Sequence, residues 1–128
     1  MIVVDASVIV DALTQRELGG LREKLAGQTL HAPDLIDHEV LSAVRGLTLG
    51  GHLSEARARD ALTDYDDLAL RRYPSTAALR AAVWTLRNNV TSYDAAYIVL
   101  ADRLGCSLWT RDSGLAASAR RHIHVELV

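Results

Sequence analysis

The sequence predicts an α/β domain of three layers, α/β/α, around a central parallel sheet of four to five strands. Short runs rich in Val, Ile and Leu alternate along the chain with longer segments whose apolar residues recur at helical spacing. The first run, at 2–4, is apolar throughout, as expected of a strand covered by helices on both faces. The chain has 128 residues, of which 49% are hydrophobic, enough for one substantial core. It is therefore expected to form a single domain over 1–128, with no internal repeat or linker.

The first run, Ile2-Val3-Val4, leads straight into Asp5, and from Val8 the apolar spacing turns helical. A strand over 2–5 is thus expected to hand over to a helix over 7–14, with Ser7 as its cap. A second helix follows over 17–25, loosened by Gly19 and Gly20. Residues 29–32 form a strand stopped by Pro33. Residues 34–46 then read as a helix apolar nearly all round, and so buried on most sides. Gly50-Gly51 ends that segment, and Ser54 caps a helix to about Asp64, with residues 64–67 as its solvated end. A strand over 68–73 is closed by Pro74. Ser75 caps a helix over 76–87, and Asn88-Asn89 breaks it. Ser92 caps a strongly apolar helix over 93–104, with Gly105 at its end. A strand over 106–110, a turn at 111–114, a helix over 115–121 and a strand over 124–128 complete the pattern.

Composition excludes several classes. Net charge is −2, so no global positive field points to nucleic acid. The basic residues are thirteen Arg and one Lys, yet nineteen Ala and twenty Leu suggest a general compositional bias that explains the excess equally well. The longest apolar run, Ala95 to Ala101, is far too short to span a bilayer. No basic residue precedes the N-terminal apolar stretch, so it does not resemble a signal peptide, and the cytoplasm is the expected compartment. Cys106, the single cysteine, is expected to be a buried structural thiol.

Four acids carry the chemical signal. Asp5 follows a strand, and open α/β sheets bind ligands outside the carboxyl ends of their strands. The structural alternative is that Asp5 only complements the dipole of the next helix. Asp112 stands in the same relation to its own strand. Asp94 lies in the first turn of its helix, where acids are also common for dipole reasons alone. Glu39 is the hardest to explain as structure. It falls within an apolar helix, and Leu35, Ile36, Ser42 and Ala43 occupy the places one turn away. Its partner must come from elsewhere, either a cation held among carboxylates or a distant arginine.

Clustered carboxylates raise one another's pKa unless a cation neutralises them. Oxygen ligands without His or Cys favour Mg²⁺, with Mn²⁺ as the alternative, and such an ion can activate water and stabilise a phosphoryl oxygen. Ser7, Thr110 and Ser113 lie close enough in sequence to the acids to support them. Arg111, beside Asp112, is a candidate substrate-phosphate contact, against the plainer reading of a surface charge. Tyr93 and Tyr97 resemble stacking residues, but the apolar neighbours of Tyr97 favour the core, as do those of Trp84 and Trp109. His122 and His124 lack a second ligand pair for zinc. No Gly-x-Ser-x-Gly elbow or glycine-rich phosphate loop occurs. The lone lysine, Lys24, falls too early for a phosphoacceptor signalling domain. Ser7 stands where a haloacid-dehalogenase-type phosphatase would carry its second aspartate.

Taken together, Val-Val-Asp-Ala-Ser-Val at 3–8, the helix from Leu35 to Arg45, Thr-Ser-Tyr-Asp-Ala-Ala-Tyr at 91–97 and Thr-Arg-Asp at 110–112 resemble the PIN-domain nucleases. The resemblance spans essentially the whole chain and is to the VapC-type ribonuclease toxins of bacterial toxin–antitoxin pairs. It implies strand order 3-2-1-4-5 and an acidic site of Asp5, Glu39, Asp94 and Asp112 that is both catalytic and metal-binding, with Ser7 and Thr110 in support. It further implies an Mg²⁺-dependent endoribonuclease leaving a 5′-phosphate and a 3′-hydroxyl, a small DNA-binding antitoxin as partner, and a homodimer. Some family members carry a further acid after the last aspartate. Ser113, Gly114, Leu115 and Ala116 stand there in this chain, leaving a second metal ion without that support. The rival reading is a PIN scaffold that binds RNA or a protein without catalysis.

Overall fold

A computed structural model of the chain describes residues 1–16 and 20–128. The elements are β1 (Ile2–Val4), α1 (Ala6–Thr14), α2 (Leu21–Ala26), β2 (Leu30–Pro33), α3 (Ile36–Leu49) and α4 (Glu55–Asp66). They continue with β3 (Leu70–Tyr73), α5 (Ala77–Thr85), α6 (Ser92–Leu104), β4 (Ser107–Thr110), α7 (Ser113–Ala119) and β5 (Val125–Leu127). The sheet has five strands in the order β3-β2-β1-β4-β5, and every pairing is parallel. Both the fold class and the strand order are as expected.

The central strand is the most deeply buried, with Val3 and Val4 inaccessible to solvent. Each such Val or Ile side chain contributes about 1.5–3 kcal/mol by leaving water. Helices α1, α3 and α4 pack on one another, α5 packs on α6, and α6 lies across β1, β2 and β4. The carboxyl end of α1 is tied down by two arginines. Arg22 Nε donates to the Ala12 carbonyl at 2.7 Å and Arg57 Nη2 to the Thr14 carbonyl at 2.6 Å, satisfying carbonyls that lack helical partners.

From β1 the chain builds outward through β2 and β3, then returns to lay β4 on the other side of β1. That reversal is a topological switch point, where α/β sheets open a crevice at their carboxyl ends. Val4 is in register with Trp109, so Asp5 and Thr110 leave the sheet side by side.

Several local expectations are corrected. Asp5, not Ser7, caps α1, because its backbone is still extended and its carboxylate accepts from the Val8 N–H. The expected Ser75 and Ser92 caps give way to Thr76 and Thr91. These extended residues accept from the N–H groups of Leu79 and Asp94, three positions on. Helix α3 begins at Ile36 and runs past Gly46 to Leu49, so Glu39 lies in its first turn rather than its middle. Nor is α3 buried on most sides: Ile36, Val40 and Val44 form a single buried stripe, while Leu41 and Leu49 are exposed. Helix α4 extends to Asp66, and Tyr65, expected at a solvated end, is buried. Trp84 is 67% exposed rather than in the core, because α5 buries none of its residues. Trp109 is in the core. Cys106 is only half-buried and precedes β4. The first positions of the expected second helix, 17–19, lie outside the described residues; α2 itself starts at Leu21.

Candidate active site

Two of the four acids are helix N-caps and the other two lie in first helical turns. Asp5 is the N-cap of α1 and is 5% exposed. Its Oδ1 accepts from the Ser7 hydroxyl at 2.6 Å and the Val8 N–H at 3.2 Å, and its Oδ2 accepts from the Thr110 hydroxyl at 2.5 Å. The structural and the functional accounts of Asp5 are thus compatible: it caps a helix and stands at the carboxyl end of β1, where the strand order reverses. Ser7 and Thr110 occupy the supporting places expected of them, and Ser7 Oγ also accepts from the Arg111 N–H at 3.0 Å.

Asp112 caps α7 through Oδ1, which accepts from the N–H groups of Gly114 and Leu115 at 2.8 and 3.0 Å. Asp94 is the third residue after the Thr91 cap of α6, held by its own N–H donating to Thr91 Oγ1 at 3.2 Å. Its carboxylate accepts no hydrogen bond among the described residues. Glu39 is half-buried, and among the described residues no arginine or other base pairs with it. The Tyr97 hydroxyl donates to Glu39 Oε1 at 2.5 Å. Tyr97 is 2% exposed, so its ring is core as expected, but its hydroxyl belongs to the site. Sequence reasoning missed that role; the one available signal was the spacing of Tyr97 from Asp94, three positions along one helix face.

The carboxylates feel one another. Burial pushes the Asp5 carboxyl above the usual range; its hydrogen bonds to Ser7, Thr110 and Val8 offset this only in part, and the Asp112 charge adds to the rise. Burial likewise raises Glu39, against the pull of the Tyr97 hydrogen bond and with repulsion from Asp5 and Asp94. Burial raises Asp94, aided by the charges of Asp112 and Asp5. Burial, then the Glu39 carboxylate, hold the Tyr97 phenol far above its ordinary pKa, so it remains a neutral donor.

Among the described residues, no three of His, Cys, Asp or Glu stand close enough to hold a metal ion directly. The acids are therefore within electrostatic range without forming a closed cage. In its chemistry an all-oxygen donor set suits Mg²⁺, which keeps several waters and binds through one or two carboxylates. It fits zinc poorly, and the exposed His122 and His124 join no such group.

Arg111 is engaged elsewhere. Its Nε donates to Asp11 Oδ2 at 2.6 Å and its Nη1 to the Val128 carbonyl at 2.9 Å, clasping α1 to the residue after β5. A second cluster braces the start of α3. Asp37 Oδ1 accepts from the Tyr65 hydroxyl at 2.5 Å and from Arg72 Nε at 2.6 Å. Burial, which opposes ionisation of Asp37, is outweighed by these two hydrogen bonds, and its pKa falls. Burial and the Asp37 hydrogen bond push the Tyr65 phenol up to about 12.

An apolar cavity of about 600 Å³ opens between α5 and α6, lined in part by Leu79, Val83, Trp84 and Tyr93 and by none of the four acids. Tyr93 directly precedes Asp94 and is 65% exposed. No helix among the described residues is long and apolar enough to cross a membrane.

A five-stranded parallel α/β fold with carboxylates gathered at its switch point defines a class of acidic-site domains. Residues 2–121 match the model of the PIN domain, and the chain belongs to that family. It is 38% identical over 128 residues to ribonuclease VapC9 of Mycobacterium tuberculosis, covering 100% of this chain and 98% of the relative. It is 41% identical over 128 residues to ribonuclease VapC1 of the same species, covering 98% of this chain and 96% of the relative. In fold it resembles the crystal structure of VapBC2 from Rickettsia felis bound to a DNA fragment from their promoter. There the TM-score is 0.72 at 14% identity, over 98% of each chain.

Proposed function

We propose that the chain is a metal-dependent endoribonuclease that acts as the toxin of a type II toxin–antitoxin pair. The observation that carries this reading is the set of acids at the β1/β4 switch point, three of them raised by burial and by one another's charge. Full-length similarity to proteins named VapC ribonucleases supports RNA as the substrate.

In this reading Mg²⁺, with Mn²⁺ as the alternative, would be held among Asp5, Glu39, Asp94 and Asp112, by one or two of the carboxylates directly and by the others through its waters. When bound, the ion supplies charge stabilisation at a phosphoryl oxygen and a water of lowered pKa. Ser7 and Thr110 fix the Asp5 carboxylate by donating to both of its oxygens. Asp112 fixes itself through the α7 N-terminus. Asp94, free of donors among the described residues, is left to engage the ion or its waters. Arg111 meets a substrate phosphate only if its guanidinium leaves Asp11.

The partner is a small DNA-binding antitoxin, a reading supported by the fold's likeness to VapBC2. The chain is further expected to act as a homodimer in the cytoplasm.

The test is incubation of the purified protein with total RNA, with Mg²⁺ and with EDTA, followed by mapping of the ends produced. Mg²⁺-dependent cuts bearing 5′-phosphates, lost in Asp94→Asn, are expected. RNA bound but left uncut under every ion condition would favour the non-catalytic scaffold instead.

A further inference from the structure

We propose that Tyr97 is a positioning residue of this site: its hydroxyl holds one oxygen of Glu39 and leaves the other to face the acid cluster. The proposal rests on the acids forming a divalent-ion site.

Three of the four acids have at least one oxygen engaged by donors from the chain, and Asp5 has both, since its Oδ2 accepts from Thr110. Asp5 Oδ1 accepts from Ser7 and Val8, and Asp112 Oδ1 from Gly114 and Leu115. Glu39 Oε1 accepts from Tyr97. For Asp5 and Asp112 the tether is local, because each is a short side chain at a helix N-terminus. Glu39 has no such device. It lies in the first turn of a helix whose N-terminus lacks a side-chain cap, and its longer side chain has more rotamers to lose on ordering. The tether therefore has to come from another element. Tyr97 is suited to the role because its ring is locked in the core, and because it lies one turn after Asp94 on α6. One helix thus presents an acid of its own and fixes the acid of α3.

A phenol buried for packing alone needs only some acceptor, and phenylalanine would pack in its place. A positioning role makes a different demand: loss of the hydroxyl must weaken the ion's hold through Glu39 and through nothing else. Groups that orient metal ligands typically change metal affinity on the order of 10- to 100-fold.

The experiment is a double-mutant cycle of Tyr97→Phe and Glu39→Gln on the full chain, read by calorimetric titration with Mn²⁺ and with Mg²⁺. Melting in EDTA reports on folding. Tyr97→Phe is expected to weaken ion binding by about 10-fold or more while melting in EDTA close to wild type. In the Glu39→Gln background the same change is expected to have little further effect, since its route is already gone. Full ion affinity in Tyr97→Phe, with affinity lowered in Glu39→Gln, overturns the proposal and leaves the metal site standing. Equal losses from Tyr97→Phe in both backgrounds also overturn it, because the hydroxyl would then act by general packing. Ion affinity untouched by Glu39→Gln overturns the metal reading and the proposal with it.

Discussion

The Thr110 hydroxyl donates to Asp5 Oδ2 at 2.5 Å, joining residues 105 positions apart at the carboxyl ends of two neighbouring strands. Ser7 completes the arrangement from the other side, donating to Oδ1. The most buried acid of the site therefore has its rotamer set by two hydroxyls and a backbone N–H. Asp94 has no such partners among the described residues. The two aspartates should respond differently to the same substitution.

Asp5→Asn and Asp94→Asn are both expected to abolish RNA cleavage. In EDTA, Asp94→Asn should melt higher than wild type by about 3 °C, because it removes a half-buried charge repelled by Asp5 and Asp112. Asp5→Asn should be close to neutral, since the relief of charge is offset by an amide donor turned toward a hydroxyl that was donating. Melting curves and cleavage assays on the two variants check both halves. A folded variant with full activity removes that residue from the site.

Stability in EDTA should depend on pH in two opposed ways. Asp5, Glu39 and Asp94 have raised pKa values in the folded chain, so their contribution is full below the ordinary carboxylate range. It is lost as pH rises through the folded values. Asp37 is lowered, so the contribution of its bonds to Tyr65 and Arg72 is present above that range and lost as pH falls. The metal-free melting temperature should therefore decline from mild acid toward neutrality as the three raised acids ionise. Mg²⁺ should remove most of the neutral-side decline by binding the folded state. A melting temperature that keeps rising to pH 8 in EDTA would contradict the assignment of raised acids.

Arg111 separates a structural from a substrate role. Arg111→Ala removes donors to Asp11 and to the Val128 carbonyl and should cost about 1 kcal/mol, a fall of a few degrees on melting. If the clasp is its whole role, cleavage per folded molecule stays at the wild-type rate. A raised KM for RNA with unchanged kcat would show that the guanidinium also meets phosphate.

The sequence made the positions of Asp5 and Asp112 legible because each follows an apolar strand, and strand ends are punctuated by composition. Asp94 was legible from its helix start, though the cap proved to be Thr91 rather than Ser92. The Tyr97–Glu39 bond was not legible. Its partners are 58 positions apart on different helices, and the spacing of Tyr97 from Asp94 puts the tyrosine near the site without saying that its hydroxyl reaches Glu39. Trp84 failed for the opposite reason. Its apolar neighbours imply burial, yet α5 is covered on too little of its surface to supply it. Arg111 carries a charge whose partners, Asp11 and Val128, are neighbours only once β4 and β5 are laid beside β1.

The last expectation concerns inhibition. A site of four acids attracts cations, so a cognate antitoxin can block it by inserting an Arg or Lys among Asp5, Glu39, Asp94 and Asp112. That side chain would stand in for the ion's charge and exclude water from the attacking position. A lone ion pair is too weak and too salt-sensitive to hold a toxin silent, so apolar contact must supply the remainder. The cavity of about 600 Å³ between α5 and α6 offers it, since Tyr93 joins that cavity to Asp94 in sequence and Trp84 is exposed along it. Expression of the wild type alone should arrest growth, and Asp5→Asn should not. In vitro, Mg²⁺ should compete with the antitoxin's basic residue. Trp84→Ser should weaken the complex at least about 10-fold, the loss expected of a desolvated aromatic contact, while leaving RNA cleavage intact. Should Trp84→Ser instead dissociate a homodimer and spare antitoxin binding, the groove belongs to self-association. An inhibited complex indifferent both to Mg²⁺ and to loss of the basic residue would rule out charge replacement as the mechanism.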